Sequence, residues 1–579
     1  MTGKERLARF ASFSVRVALS GVCLAAGIAT ALAQPVPPPQ GSPIPRIAPP
    51  AAPPVGPGLG TQPVAPAAAP AGTLAIRAVS IQGATVLPPA RLTPLTEGLT
   101  GPAVPLAAVE AARAAIVSAY RQEGYVFTAV DAVLDAQGNL RLVVAEGHVT
   151  EVLLEGDIGP AGTQVLRFLN RLILRPALDV ASLERALLLA QDIPGVGIRS
   201  VLRPAGTAPG ALTLVAQVSR RPVTGYVTAD NRAYRLTGPE QGLAAVQFNS
   251  FTEFGERTEL LLFGAAGATQ LFGQASTELF LGGSGLRARV YVGQGRATPS
   301  DALRGIGYEG TTTTAGLALS YPLIRRRSES LLLTGQFDLI ESEIEIDGAN
   351  GAATRLSRDS LRVLRLGAEW ARFDLLLGEA FPAANSATLR LSRGLEGLGA
   401  ERTGNVDAAR LGAQVDFTRL AFEVSRRQAL FQPWAGADVA LVGTLAGQWS
   451  DDILPLSEKF YLGGARLGRG FYAGEVTGDR ALAASAELQL TTSIETEAWG
   501  TPLRLLPTFY AFYDHGRTWE NQDQDPDRRL RSTGVGVRMP VNDVVELQLE
   551  GVRRLTRRPN PGAAEVKADA LFWRVLARF

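Results

Sequence analysis

The sequence predicts a transmembrane β-barrel of about 16 antiparallel strands preceded by two small α+β units. Three observations predict it. From about residue 222 to Phe579 the helical period vanishes, and short alternating strands separated by turn clusters take over. Ahead of them, residues 73–221 run twice through one β-α-α-β-β order. The chain also opens on a basic and then apolar segment of the kind that directs export.

Composition narrows the function classes. A formal net charge of +2 over 579 residues provides no global field for nucleic acid. The single cysteine, Cys23, lies in the N-terminal apolar run, so a processed chain has neither disulfides nor thiolate metal sites. The two histidines, His148 and His515, are far apart in sequence. That argues against a zinc centre or a serine-histidine triad, and no catalytic residue, metal or cofactor is assigned.

Residues 1–33 read as a signal peptide. Lys4, Arg6, Arg9 and Arg16 precede the apolar run Val17–Leu32, and Ala31-Leu-Ala33 supplies small residues for cleavage. The run is shorter than the about 20 residues that a membrane-spanning helix needs. Residues 34–72 are a Pro/Ala-rich linker, which proline keeps extended and semi-rigid. The first unit, 73–147, has a β-type run over Leu74–Ile81 and a helix with Val109, Ala112, Ile116 and Tyr120 on one face. A strand from Gly124-Tyr125 to Val133, a turn at Asp135–Gly138 and a strand over Asn139–Ala145 follow. The second unit, 148–221, repeats the order with a strand over Val149–Leu154 and helices over Val165–Ile173 and Ala181–Gln191. Two strands, Ile198–Leu202 and Ala211–Val218, close it. Each unit offers sheet edges to which an extended peptide can add.

In the region 222–579, Leu333, Gly335, Phe337 and Leu339 alternate with Thr334, Gln336 and Asp338. Likewise Leu547 and Leu549 alternate with Gln548 and Glu550, and Leu571, Trp573 and Val575 lead to the terminal Phe579, the expected barrel C-terminal signal. An apolar face outside and a charged face inside is the pattern of a barrel with a wet lumen. Export plus a barrel implies the outer membrane of a Gram-negative cell, with the N-terminal units in the periplasm, outer-membrane lipid around the strands and a barrel-assembly machinery to insert them. One stretch does not read as a strand. Tyr461–Phe471 is rich in glycine, holds Arg469 between Gly468 and Gly470, and continues through Gly478-Asp479. A loop of this length and composition, 461–480, is expected to fold back into the barrel.

In this organisation the mature chain resembles the two-partner secretion transporters, the TpsB branch of the Omp85 superfamily, in which two POTRA-like domains precede the barrel. Gly463-Gly464 followed by Arg469-Gly470-Phe471, and then Gly478-Asp479 and Glu487, resemble the family's sixth-loop motif. Gly468 stands where that motif has valine. The stretch around Phe512, Asp514 and Gly516 is similar to the superfamily's Phe-x-Asp-x-Gly strand motif. The resemblance implies that Arg469 pairs with Asp514 in the lumen. It also implies a nucleotide-independent, non-enzymatic pore that exports an unfolded partner protein, a TpsA-type adhesin- or haemolysin-like exoprotein. The alternatives are an insertase of the same superfamily, a diffusion porin or receptor and, remotely, an outer-membrane lipase built on His515.

Overall fold

The computed structural model describes residues 72–579 apart from 207, 349–351, 499, 543 and 561–563, so the expected signal peptide and nearly all of the expected linker lie outside the described residues. In the first unit a three-stranded sheet places Asn139–Ala145 between Ala78–Gln82, its parallel neighbour, and Ala129–Leu134, its antiparallel one. The helix Leu106–Gln122 packs its buried stripe Val109, Ala112, Ile116 and Tyr120 onto this sheet. The run expected over Leu74–Ile81 is two strands, because the chain turns at Arg77. Its first half, Thr73–Ile76, pairs with Gly101–Pro105, a strand that its glycine and prolines conceal in the sequence. The strand expected from Gly124-Tyr125 begins at Ala129 instead.

The second unit has the same sheet topology, with Ala211–Arg220 between His148–Glu155 and Val196–Pro204. Its helices are Ala161–Leu169, which begins and ends earlier than expected, and Val180–Gln191, capped by the Asp179 carboxylate accepting from the Ser182 amide.

Glu146 ties the first unit together. Its carboxylate accepts from the Tyr120 hydroxyl at 2.6 Å, from the Thr85 and Val86 amides at 2.7 and 2.9 Å, and from the Thr85 hydroxyl. Burial opposes ionisation, but these donors outweigh it and hold the carboxyl below the ordinary carboxylate range. Burial and then the Glu146 carboxylate push the Tyr120 phenol up. A depressed carboxyl stabilises the fold above its ordinary pKa and loses that contribution as pH falls through its folded value. Glu146→Ala is therefore expected to cost about 2–3 kcal/mol at neutral pH. The deficit should shrink on acidification below about pH 4, read from urea unfolding of the periplasmic units within the full chain.

Sixteen strands then close the barrel. They are β1 (Val223–Asp230), β2 (Gln241–Asn249), β3 (Arg257–Ala265), β4 (Gln270–Phe280), β5 (Arg287–Ala297) and β6 (Glu309–Arg325). Next come β7 (Glu329–Asp347), β8 (Ala353–Asp374), β9 (Ala383–Gly394), β10 (Thr418–Phe431) and β11 (Ala437–Trp449). The last five are β12 (Arg480–Thr492), β13 (Thr508–Trp519), β14 (Arg528–Val541), β15 (Val545–Arg554) and β16 (Asp569–Arg578). The hairpin Ile494–Ala498/Thr501–Leu505 prolongs the β12–β13 turn without adding a stave, since β12 and β13 pair directly. All neighbours are antiparallel, and β16 pairs with β1 from Arg574↔Asp230 to Arg578↔Tyr226. Beyond that register Phe579 and Gly225 exchange both backbone hydrogen bonds, at 2.9 and 3.0 Å, so the terminal residue finishes the seam.

Closure satisfies the backbone and leaves alternation to sort the side chains. Leu260, Leu262, Val290, Val292, Leu547 and Leu549 are exposed on the outside, whereas Asp338, Arg365, Asp514 and Glu550 are buried inside. No helix among the described residues is long and apolar enough to cross a membrane; the strands do it.

The second unit docks on the barrel end that carries the β2–β3, β4–β5 and β6–β7 turns. Arg325 forks onto Asp192 at 2.7 and 2.8 Å, and Phe168 meets Phe280 edge-on at 5.3 Å. That end faces the periplasm, and the long connections between β9 and β10, and between β11 and β12, therefore leave from the opposite mouth.

Candidate functional site: the in-folded loop

The β11–β12 connection returns into the barrel instead of projecting from it. A short antiparallel pair, Phe460–Leu462 with Val476–Gly478, forms its stem. Gly463 and Gly464 follow with φ of 109° and 114°, left-handed values that glycine alone adopts freely. A Cβ on Gly463 would lie 2.3 Å from the Tyr472 carbonyl, so the turn also needs the bare backbone. The tip bonds to itself, with the Gly464 amide donating to the Phe471 carbonyl at 3.2 Å and the Phe471 amide to the Gly468 carbonyl at 3.0 Å.

Arg469 points from this tip into the β12–β14 wall and is 3% exposed. Its Nε and Nη2 grip the two oxygens of Asp514 on β13 at 3.1 and 2.9 Å, and its own amide donates to the same carboxylate at 2.8 Å. Nη2 also reaches the Ser485 hydroxyl at 2.8 Å, and Nη1 bonds Glu487 on β12. The guanidinium carbon lies 3.7 Å from the centre of the Phe512 ring. Phe512 and Asp514 share the inner face because they are two residues apart on one strand. A desolvated guanidinium thus finds a carboxylate fork, a second carboxylate and an aromatic face.

The glycines around it let backbone approach backbone. A Cβ on Gly470 would stand 2.5 Å from the Ser532 Cβ; the Gly470 amide donates to the Ser532 hydroxyl at 3.1 Å, and its carbonyl accepts from Arg554 at 2.5 Å. Gly516 is bare where Leu462 of the stem lies across β13, and Gly478 of the stem is bare where it meets Thr518 of β13. Phe471 is fully buried with Leu462, Leu467, Val476 and Leu530. Gly468 has φ 73°, a conformation that disfavours the β-branched valine of the family motif, and Leu467 provides the apolar side chain one position earlier. Gly468→Val is expected to destabilise the tip by about 1–3 kcal/mol, read as faster protease cleavage of the loop in the folded, membrane-inserted barrel.

Asp479 does not join Arg469. It is buried at the other end of the stem, where Arg410 forks onto it at 2.6 and 3.0 Å and the Leu454 and Asn521 amides donate at 3.0 and 2.8 Å. Arg410 comes from the β9–β10 loop and also reaches Glu520 at 3.0 Å, which Lys459 in turn bonds at 2.8 Å. One cation thereby fastens the outer loops to one another. A third attachment is Glu458, which takes Arg365 of β8 at 2.7 and 2.9 Å and Arg419 of β10 at 3.0 Å. Arg365 also binds Asp338 of β7 at 2.5 Å. Below the tip, Arg538 binds Glu487 at 2.7 Å, and Glu550 is shared by Tyr510 at 2.8 Å and Arg232 at 2.5 Å. Sequence reasoning missed Arg410, Glu458, Arg365 and Arg538; inward register on an alternating strand was an available signal for Arg365 and Arg538, whereas Arg410 and Glu458 lie on loops and carried none.

A closed barrel with an in-folded arginine loop, fed by periplasmic α+β units, defines an outer-membrane protein transporter of the Omp85 superfamily. The family model for the haemolysin secretion/activation proteins ShlB/FhaC/HecB matches residues 211–539, more than half of the chain, and the ShlB-type POTRA domain matches residues 74–147. The chain belongs to this two-partner secretion family. No curated protein matches it by sequence. Among solved structures it is similar to CdiB from Escherichia coli, with 18% identity and a TM-score of 0.71 over 90% of this chain and 94% of that one. It is also similar to CdiB from Acinetobacter baumannii, with 15% identity and a TM-score of 0.59 over 88% and 91%. BamA from Haemophilus ducreyi lacking POTRA domains 1–3 shares 14% identity and a TM-score of 0.50 over 88% of this chain and 100% of that one.

Proposed function

We propose that the chain exports one large, unfolded, β-rich partner protein from the periplasm to the cell surface without nucleotide, and that the Arg469 loop regulates the lumen. The observation that carries this reading is the loop itself, which is held inside the barrel by non-covalent contacts that can break and re-form, the Arg469 ion pairs with Asp514 and Glu487 and the apolar cluster around Phe471. The two periplasmic units supply the capture surface. Their outer strands, among them Ala129–Leu134 and Val196–Pro204, pair on one side alone, so an extended cargo segment can add to them as a further strand. The docked second unit sets that surface at the periplasmic mouth.

An insertase of the same superfamily would use similar parts on many clients. Deleting the chain separates the two readings. Loss of one secreted product, with other outer-membrane barrels at normal levels, is the expected result. General loss of outer-membrane barrels would overturn the export assignment.

A further inference from the structure

Between the second periplasmic unit and the barrel rim lies a groove of about 620 Å³ that the export reading leaves unused. Its floor comes from the helices Ala161–Leu169 and Val180–Gln191 and its wall from the periplasmic end of β6. Arg171, Arg175, Arg185, Arg325 and Arg326 line it, and no aspartate or glutamate does. Two of the five are neutralised from just outside it, Arg325 by Asp192 at 2.7 Å and Arg175 by Asp179 at 3.2 Å. The other three have no carboxylate partner among the described residues. Arg171 donates to the Gly283 carbonyl at 2.6 Å, Arg185 donates to the Pro322 carbonyl at 2.8 Å, and exposed Arg326 has no side-chain partner among the described residues.

The groove is continuous with the outer surface of the barrel. Leu323, 51% exposed, lines it, and Leu319 and Leu317 continue up the same outward face of β6 into the apolar belt. Leu174, on the loop beyond the first helix, adds an apolar side chain at the rim that is 84% exposed. Cations at the depth where a leaflet's head groups end, joined to an apolar track at the depth of its chains, match one ligand chemistry.

We propose that this groove binds an anionic glycerophospholipid of the periplasmic leaflet, its phosphate held by Arg171, Arg185 and Arg326 and its acyl chains lying along Leu323, Leu319 and Leu317. The lipid bridges helix Val180–Gln191 to β6, beside the Arg325–Asp192 fork, and so steadies the second unit against the barrel.

The test uses the purified full chain in detergent, supplied with phosphatidylglycerol or phosphatidylcholine of the same chain length and followed by native mass spectrometry. The wild type is expected to retain phosphatidylglycerol at least about tenfold over phosphatidylcholine. Arg171→Gln with Arg326→Gln should bring that ratio to about one while the barrel keeps its heat-modifiable migration. Arg326→Gln alone removes a side chain with no partner to lose, and should lower the ratio about threefold. Equal retention of both lipids by the wild type, or an unchanged ratio in both variants, overturns the proposal. Displacement of phosphatidylglycerol by equimolar inorganic phosphate would overturn the lipid assignment and identify a free-phosphate site.

Discussion

Arg469→Ala is expected to leave the barrel inserted at wild-type amounts and to lower surface export of the partner protein at least about tenfold. Removing the guanidinium leaves Asp514, which is fully buried, with the backbone amide of residue 469 and no cation, and leaves Glu487 with Arg538 and Gln489 alone. Breaking one side of a desolvated ion pair costs about 3–5 kcal/mol. That shifts occupancy of the in-folded position by roughly two to three and a half orders of magnitude. The barrel wall has its own hydrogen-bond ladder and survives the change. Surface protease should therefore cut the loop faster in this variant, while antibody against a β-strand epitope detects unchanged protein. Arg469→Lys restores charge without the planar fork that engages Asp514 twice and Glu487 and Ser485 besides, so it should recover only part of the export. Normal export by the alanine variant would sink the role proposed for the loop.

Arg410→Ala is expected to open the outer mouth. This guanidinium connects the β9–β10 loop to Asp479 at the stem of the in-folded loop and to Glu520 beyond β13. Glu520 keeps Lys459 and Arg528 when Arg410 is lost, but Asp479 keeps only backbone amides. The loss, again about 3–5 kcal/mol, falls on contacts between loops and spares the strands. Single-channel recordings in planar bilayers should show longer and larger openings than the wild type. Arg410→Met fills much of the same volume without the charge, and should behave like the alanine variant if the ion pair is what holds the mouth. Wild-type conductance in both would mean that apolar packing around Val415 and Phe417 is sufficient.

The parts of this molecule legible in its sequence are those written in local patterns. Alternation from β1 to β16 follows from the period of two that any strand imposes, so barrel class and an approximate strand number are readable without contacts. The four buried positions of the helix Leu106–Gln122 are readable for the same reason at a period of 3.6. The contact of Arg469 with Asp514 is legible only through resemblance, because each lies in a short motif similar to one of the family's, and no local pattern specifies the pairing by itself. The strand Gly101–Pro105 is not, because its composition argues against a strand and only its partner Thr73–Ile76 makes it one. Nor are the anchors Arg410 and Glu458. Each meets carboxylates or cations contributed by strands and loops far away in the chain, a meeting determined by register and loop path rather than by neighbours in sequence. Asp479 shows the limit most clearly. It sits in the same loop motif as Arg469, yet it answers a cation from another loop altogether.

The alternation of sign along the lumen wall bears on how a polypeptide could slide through it. On the wall itself Glu487 pairs with Arg538 and with Arg469 of the loop tip, and Glu550 pairs with Arg232 from the β1–β2 connection. A surface so neutralised presents short-ranged dipoles instead of a field of one sign. A passing chain would gain little by stopping against it, whatever the charge of the segment in transit. Transport demands contacts strong enough to admit the cargo and weak enough to let it go. A wall that solvates its own charges keeps friction low for a cargo whose sequence changes sign many times along its length.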